Sequence, residues 1–163
     1  MAYEIIDNFL PEEEHQIIVE SLMGASFPWY LTPQIVSDVQ DNARNFQFVH
    51  NFHKDYGWSS DLAYIIGPLI DKIKPEAIIR VKANLNPYTE TPYKGGWHVD
   101  YPFPCKTSVY YVNTNNGYTE LVSGEIIESV ANRLVIFDSD TLHTGVTCTD
   151  AKARCVININ YFD

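Results

Sequence analysis

The feature of this sequence that most constrains its fold is a change in hydrophobic period near residue 77. Beyond that point, apolar and polar residues alternate in short runs separated by turn residues, which is typical of β-strands. The runs cover residues 77–85, 107–113, 118–122, 125–130, 133–138 and 154–161.

The part of the chain before residue 77 instead contains two predicted helices. Residues 11–23 begin with Pro11, which suits a first helical position, and with three glutamates that favour the positive end of a helix dipole. Residues 60–73 form the second predicted helix. Gly67-Pro68 lies inside it, so we expect the helix to kink or split there.

Turn residues between the predicted strands indicate the topology. Asn116-Gly117 and Ser123-Gly124 are predicted to join neighbouring strands as hairpins, giving an antiparallel meander rather than βαβ units. The predicted class is mainly β (α+β): a double-stranded β-helix, or jelly roll, supported by N-terminal helices. At 163 residues, the chain is predicted to form one domain, 1–163, with helical support over 1–76 and a jelly-roll core over 77–163.

The formal net charge of −10 disfavours partners that carry many phosphates. Nucleic acid and anionic membranes are therefore not expected as partners, and the sequence does not indicate an oligomeric state. The sequence contains no long apolar run and no basic, apolar leader. Three cysteines without a CxxC pair favour a reducing, cytoplasmic location. They are Cys105, Cys148 and Cys155.

Residues 26–58 are rich in aromatic side chains and are interrupted by two prolines. Two interpretations stay open for this stretch. It could be a lid or a wall of a substrate site, or its aromatic residues could pack down onto the predicted sheet.

His98 and Asp100, in the segment Gly-Gly-Trp-His-Val-Asp, are the first candidate metal ligands. Residues two apart in an extended segment point to the same side, so both side chains can bind one ion. His143 follows the apolar strand 133–138 and lies 43 residues after Asp100 (143 − 100), about the length that β structure needs to return across a small barrel. Two histidines and a carboxylate form the facial triad that leaves positions open on iron(II).

Arg154 begins the last predicted strand. A buried arginine needs an anionic partner, and its planar guanidinium binds a carboxylate in bidentate fashion, so a dicarboxylate such as 2-oxoglutarate would suit it. Alternation places Asn158 on the same face of this strand as Arg154, so Asn158 could be a second polar contact for the co-substrate. Tyr111 could bond the same carboxylate, although alternation alone leaves open whether Tyr110 or Tyr111 points inward.

Four segments together resemble the iron(II)/2-oxoglutarate oxygenases, and within them the prolyl-4-hydroxylase-like group. They are GWHVD (96–100), TSVYYVN (107–113), NRLVIFDSDTLHTG (132–145) and RCVININYFD (154–163). The resemblance covers about residues 77–163. A departure lies upstream, where many prolyl hydroxylases have a tyrosine that contacts 2-oxoglutarate and this chain has Leu85, with Tyr88 further on.

The resemblance implies iron ligation by His98, Asp100 and His143, with Arg154 and Tyr111 holding the far carboxylate of 2-oxoglutarate. It implies a dioxygenase that uses O2 to hydroxylate a C–H bond, such as one in a prolyl or other peptide side chain, and releases succinate and CO2. The partner that the resemblance implies is a small-molecule or peptide substrate.

Three other interpretations stay open. A cupin-type enzyme would keep the metal ligands but would not need Arg154 and Tyr111. A non-catalytic binding module would need no ligands at all. A zinc site that includes His50 and His53 has poor spacing, because residues three apart in an extended stretch point in different directions.

Overall fold

A computed structural model describes residues 3–35 and 43–163 of the protein. Within these ranges the chain is mainly β, as expected, with two α-helices and one short 3₁₀ helix. The helices are α1 (Glu12–Leu22), the 3₁₀ helix (Ala63–Ile66) and α2 (Gly67–Ile73). The strands are β1 (Tyr3–Ile6), β2 (Tyr30–Thr32), β3 (Gln47–Lys54), β4 (Gly57–Trp58), β5 (Ala77–Pro87), β6 (Lys106–Tyr111), β7 (Tyr118–Leu121), β8 (Ile126–Glu128), β9 (Arg133–Asp138), β10 (His143–Val146) and β11 (Ala153–Phe162).

Both predicted helices form, and the second one splits where the sequence indicated. Gly67 begins α2, and Pro68 lies in its first turn, where the missing N–H of proline costs no hydrogen bond. The preceding residues instead form the 3₁₀ helix. The Ser60 hydroxyl accepts a hydrogen bond from the backbone N–H of Leu62 at 3.1 Å, which satisfies a free donor at the start of this segment.

The strands form two antiparallel sheets in a jelly-roll-like arrangement. The large sheet has the order β1-β9-β6-β11-β5-β3-β2, with β4 also paired to β3, and the small sheet has the order β10-β7-β8. Strands that are distant in sequence are therefore neighbours, as in β5 and β11, which pair along nearly their whole length.

A buried apolar cluster packs against each face of the large sheet. On one face, strand residues share a buried cluster with residues of α1, the 3₁₀ helix and α2. On the other face, a second cluster lies between the two sheets and extends toward the cavity described below. The first cluster includes Ile18, Leu22, Ile66, Leu69, Val81, Ala83, Tyr110, Ile157 and Ile159, and the second includes Val109, Tyr111, Leu121, Ile127, Val135, Phe137 and Val156.

Two details of the predicted topology are wrong. Asn116-Gly117 does not join a hairpin, because β6 lies in the large sheet and β7 in the small one, so the chain crosses between sheets there instead of forming a meander. Ser123-Gly124 does connect paired strands, β7 and β8. In addition, the segment predicted as helical support, 1–76, supplies strands β1 to β4 of the large sheet.

The aromatic stretch 26–58 is described except for residues 36–42, which lie outside the described residues. Its side chains have no single environment: Phe52 is fully buried, Phe27 and Trp29 pack against the core, and Tyr56 and Trp58 are exposed. Among the described residues, no helix is both long enough and apolar enough to span a membrane. All three cysteines are buried free thiols.

Candidate active site

A cavity of about 220 Å³ opens between the two sheets. Its floor is formed by β5 and β11 of the large sheet, and its opposite side by β7, β10 and the segment before Asp100. This segment runs beside β10, where Gly95 donates its N–H to the Gly145 carbonyl at 2.9 Å. The cavity is therefore lined by residues from the first strand of the predicted jelly-roll core, β5, and from its last strands, β10 and β11.

His98 and His143 are joined by an isolated antiparallel bridge. The His98 N–H donates to the His143 carbonyl at 3.0 Å, and the His143 N–H donates to the His98 carbonyl at 2.9 Å. Their ring centroids lie 4.5 Å apart. With Asp100, they form a group whose ligand atoms all lie within 4.8 Å of one another. The structure thus brings together the three predicted metal ligands.

Hydrogen bonds to backbone carbonyls orient both imidazoles. His98 Nδ1 lies 3.1 Å from the Gly96 carbonyl, and His143 Nδ1 lies 2.8 Å from the Thr141 carbonyl. A carbonyl oxygen only accepts, so each Nδ1 carries the proton and each Nε2 keeps its lone pair. This is the arrangement in which a histidine can offer Nε2 to a metal ion.

The Asp100 carboxylate is held on both oxygens. Arg80 donates to Oδ1 at 3.0 Å, while Thr107 Oγ1 and Asn160 Nδ2 donate to Oδ2 at 3.0 and 2.9 Å. Thr107 and Asn160 also bond the Ser139 hydroxyl, at 2.7 and 3.4 Å, so the partners of the carboxylate form one buried network. The Asp100 carboxylate is consequently fixed in position beside the two histidines.

The electrostatic environment favours the protonation states that bind metal. Burial alone would raise the pKa of Asp100, but Arg80, His143 and the Asn160 hydrogen bond outweigh it and lower the pKa below its usual value. Burial, together with the neighbouring His98, lowers the pKa of His143. A carboxylate and a neutral imidazole are the forms that coordinate a cation.

Arg154 lies at the other end of the cavity and is only 4% exposed. Its Nε donates to the Ser129 hydroxyl at 3.0 Å and its Nη2 to Thr119 Oγ1 at 2.9 Å. Within the described residues it forms no ion pair with a carboxylate. Its burial lowers its pKa, as expected for a cation removed from water without a counter-ion.

The packing around Arg154 leaves space for its guanidinium. A side-chain carbon at Gly117 would lie 2.8 Å from Arg154 Cδ and 2.7 Å from the Val146 carbonyl oxygen. A side-chain carbon at Gly145 would lie 3.6 Å from Arg154 Nη1. Gly117, which was predicted to form a hairpin turn, is therefore needed for packing, since a side chain at this position would overlap with Arg154.

The structure answers which of the two adjacent tyrosines faces the cavity side. Tyr111 belongs to the cluster between the sheets, its ring centroid lies 5.5 Å from Arg154 Cζ, and its hydroxyl donates to Thr119 Oγ1 at 2.8 Å. Tyr110 lies on the opposite face, where its hydroxyl bonds Asn132 and His15. Tyr111 thus shares Thr119 as a partner with Arg154.

Strand β5 contributes a polar wall that the sequence analysis did not identify. Its even-numbered residues face the cavity, whereas Val81 and Ala83 between them are fully buried in the core on the other face. The strand register places Lys82 opposite Asn158, the predicted co-substrate contact. Asn158 accepts a hydrogen bond from Asn84 Nδ2 at 3.2 Å. The cavity-facing residues of β5 are Arg80, Lys82, Asn84 and Asn86.

The histidines of the alternative zinc interpretation lie elsewhere. Both ring nitrogens of His50 already have partners, the Pro28 carbonyl at 2.9 Å and the Ser60 hydroxyl at 2.8 Å. His53 packs its ring edge-on against Trp58. Among the described residues, the group formed by His98, Asp100 and His143 is the one with ligand atoms close enough to share an ion.

Comparison with known sequences gives no assignment: no protein-family model and no curated protein matches the chain. Comparison with solved structures does find similarity. A Trichoplax adhaerens prolyl hydroxylase, solved with a peptide fragment of the hypoxia-inducible factor oxygen degradation domain, is 19% identical, with a TM-score of 0.69 over 99% of this chain and 83% of that one. A Pseudomonas putida prolyl-4-hydroxylase is 15% identical, with a TM-score of 0.64 over 99% and 92%.

A third match widens the group beyond prolyl hydroxylases. An oxidoreductase of the 2OG-Fe(II) oxygenase family from Burkholderia pseudomallei is 10% identical, with a TM-score of 0.70 over 98% of this chain and 84% of that one. At these identities the likeness shows the fold. The chain therefore has the fold of the iron(II)/2-oxoglutarate oxygenases, and it resembles the prolyl-4-hydroxylase-like group among them.

Proposed function

We propose that this protein is an iron(II)- and 2-oxoglutarate-dependent dioxygenase. One observation carries the proposal: a possible metal site of two histidines and one carboxylate lies in the same cavity as a buried arginine that has no carboxylate partner among the described residues. A metal site alone would fit many enzymes. The arginine adds a requirement for an anion inside the protein, which a dicarboxylate co-substrate would meet.

The donor set fits iron(II). His98 and His143 would each offer Nε2, and Asp100 would offer a carboxylate oxygen, which together leave other positions on the ion open. The backbone bridge between the histidines and the three donors on Asp100 would keep this set in place. A saturated structural zinc site would need a fourth protein ligand, and His50 and His53 do not reach it.

Arg154, Tyr111 and Asn158 are the residues proposed to hold 2-oxoglutarate. Arg154 would bind the carboxylate far from the metal, and Tyr111 would donate to the same carboxylate by turning its hydroxyl away from Thr119. Asn158 would be a further polar contact on the cavity wall. When bound, iron and 2-oxoglutarate supply the oxidising chemistry: O2 and 2-oxoglutarate are converted, one oxygen atom hydroxylates a substrate C–H bond, and succinate and CO2 are released.

The substrate is proposed to be a small molecule or a peptide; in a peptide, the hydroxylated group would be a prolyl or other side chain. The likeness to two prolyl hydroxylases supports a prolyl group. One of them was solved with a peptide, which supports a peptide substrate. We further propose that the chain acts as a single domain in the cytoplasm, a location with which three buried free thiols agree.

The test is an anaerobic titration of the purified protein with Fe(II) and 2-oxoglutarate, monitored by the visible charge-transfer band that the chelate produces. We expect the band in the wild type and a 2-oxoglutarate Kd about a hundredfold higher in Arg154→Ala, because a buried charge-assisted contact is lost. Arg133→Ala is the matched control, since Arg133 pairs with Asp7 at the protein surface.

The outcomes separate the alternatives. Bound metal without the band, or an unchanged Kd in Arg154→Ala, would contradict the proposal and would favour another metal-dependent jelly-roll enzyme, such as a cupin-type enzyme. Absence of metal binding would favour a non-catalytic binding module.

A further inference from the structure

The charge of the cavity is opposite to the charge of the protein. The chain has a formal net charge of −10, yet the described cavity lining contains four side chains with a formal positive charge and one carboxylate, that of Asp100. Charges of one sign on the wall of a cleft attract ligands of the other sign. The cationic side chains are Arg44, Arg80, Lys82 and Arg154.

The proposed co-substrates do not remove this excess. Iron(II) and 2-oxoglutarate carry equal and opposite charges, so binding both leaves the net charge of the cavity unchanged. Arg80 already pairs with Asp100 at 3.0 Å, and Arg154 is assigned to the far carboxylate of 2-oxoglutarate. Lys82 has no such assignment, and it forms neither an ion pair nor a hydrogen bond with any described residue. A half-buried cation without a partner on a cavity wall favours an anionic ligand.

Next to Lys82 on the same face of β5, Asn84 has an unused acceptor. Asn84 is 8% exposed, and its Oδ1 is buried without a hydrogen-bond partner, while its Nδ2 donates to Asn158. Buried side-chain oxygens are rarely left without a donor, so a ligand with an N–H or O–H group would complete this site. A cation and a free acceptor therefore lie two residues apart on one strand.

We propose that Lys82 and Asn84 form a substrate subsite, and that the substrate is a small carboxylic acid that also carries an N–H or O–H donor, as a free amino acid does. Lys82 pairs with its carboxylate, and Asn84 Oδ1 accepts from its donor. The inference rests on the proposed function and specifies its substrate class. It favours a free acid over a residue inside a peptide chain, which has no carboxylate at the corresponding position.

The position of the subsite suits a substrate that reacts at the metal. On the cavity face of β5 and β11, the paired residues Lys82 and Asn158 are followed by the paired residues Arg80 and Asn160. The side chains of Arg80 and Asn160 donate hydrogen bonds to Asp100. Burial, together with the nearby Arg80, lowers the pKa of Lys82 to about 8. A bound carboxylate would offset that unfavourable environment, so the subsite is expected to prefer anions.

The experiment compares acids with their amides. Iron-loaded protein, 2-oxoglutarate and O2 are incubated with a panel of L-amino acids, L-proline included, and with the corresponding carboxamides, and succinate formation is measured above the background without added substrate. We expect at least one acid to stimulate succinate formation and its amide to fail, because the amide lacks the charge that Lys82 would bind.

Variants assign that preference to Lys82. Lys82→Met is expected to raise the half-saturating concentration of the active acid by about tenfold or more and to remove the preference for acid over amide, while Lys82→Arg keeps the preference. Lys54→Met is the control, since Lys54 is a half-exposed lysine on β3 that does not line the cavity.

Each contrary outcome has a definite meaning. Equal stimulation by acids and amides, stimulation only by proline-containing peptides, or no stimulation by any acid would overturn the proposal. So would a higher 2-oxoglutarate Kd in Lys82→Met, measured from the charge-transfer band, because Lys82 would then be a contact for the co-substrate. Failure of the proposed function is distinguishable, since the wild type would then show no band or Arg154→Ala would leave the 2-oxoglutarate Kd unchanged.

Discussion

His98 and His143 each donate their backbone N–H to the other's carbonyl oxygen, at 3.0 and 2.9 Å, although the segment between them spans about half of the jelly-roll core. This bridge belongs to the backbone, so it does not depend on the imidazoles or on an ion between them. The spacing of the two rings is therefore set by folding, and a metal would meet ligands that are already in position.

Because the backbone bridge does not depend on the imidazoles, loss of either imidazole should affect metal binding and not folding. We expect His98→Ala and His143→Ala to weaken Fe(II) binding by more than about a hundredfold, beyond the 10- to 100-fold typical of outer-shell partners, because each removes a donor. The circular dichroism spectrum should stay that of the wild type, since the bridge remains. Metal affinity is measured by anaerobic titration, and retention of wild-type affinity in either variant would contradict the assigned ligands.

Thr107 should affect the metal through Asp100. Thr107→Val keeps the side-chain shape but removes the hydroxyl that donates to Asp100 Oδ2 at 3.0 Å, and we expect Fe(II) affinity to fall by about tenfold. Ser108→Ala is the matched control, because Ser108 follows Thr107 but bonds Tyr161 on the other face of the sheet. Equal losses in both variants would indicate a general effect on the strand.

The two adjacent tyrosines of β6 should separate co-substrate binding from stability. Tyr111→Phe removes a hydroxyl beside Arg154, and we expect the 2-oxoglutarate Kd to rise by about fivefold to tenfold, the size of one hydrogen bond. Tyr110→Phe should lower thermal stability with little change in that Kd, because its hydroxyl bonds Asn132 and His15 in the core. The reverse pattern would show that Tyr110, and not Tyr111, contacts the co-substrate.

Gly117 should be required for the position of Arg154. In Gly117→Ala, the added carbon would lie within 2.8 Å of Arg154 Cδ and the Val146 carbonyl, so the arginine must shift and the 2-oxoglutarate Kd should rise by about tenfold. Gly57→Ala serves as the control, since an added carbon there meets no atom within 4 Å. An unchanged Kd in Gly117→Ala would show that the guanidinium tolerates displacement.

His15 should contribute a pH dependence of stability. Burial lowers its pKa below the ordinary 6.5, so the unfolded chain takes up a proton that the folded protein does not, and the free energy of unfolding decreases as the pH falls below about 6.5. We expect His15→Gln to flatten the curve of thermal midpoint against pH between about 8 and 5 relative to the wild type. His143, which has the same sign of shift, is present in both proteins and cancels in the difference. Parallel curves would contradict this role.

Local patterns predicted most of the strands after residue 77 and the side shared by His98 and Asp100, because both depend on short-range rules. They did not indicate β10 or the strands β1 to β4. Alternation places His98 and Asp100 on one side of an extended segment whatever the surroundings are, and the apolar strand before His143 fixes its place at a sheet end. The split at Gly67-Pro68 follows from the chemistry of proline in the same way.

What could not be predicted depends on which strands become neighbours. Asn116-Gly117 has the sequence of a hairpin turn, but the chain changes sheets there, and Gly117 is instead needed beside a residue 37 positions later, Arg154. Arg80 and Lys82 lie on a strand that was predicted correctly. Nothing in its alternation shows that the polar face meets a cavity instead of water, because that face is covered by residues from β7 and β10.

The basic cavity within an acidic protein has a kinetic consequence. An anionic solute approaching from bulk solvent first meets the repulsive field of the whole chain, and only near the mouth does the local attraction of the arginines and Lys82 dominate. Mobile ions screen the distant field over a Debye length of about 8 Å at physiological ionic strength. Added salt weakens the attraction at the cavity as well as the distant repulsion, so a bound anion is held less tightly and its rate of dissociation increases with ionic strength.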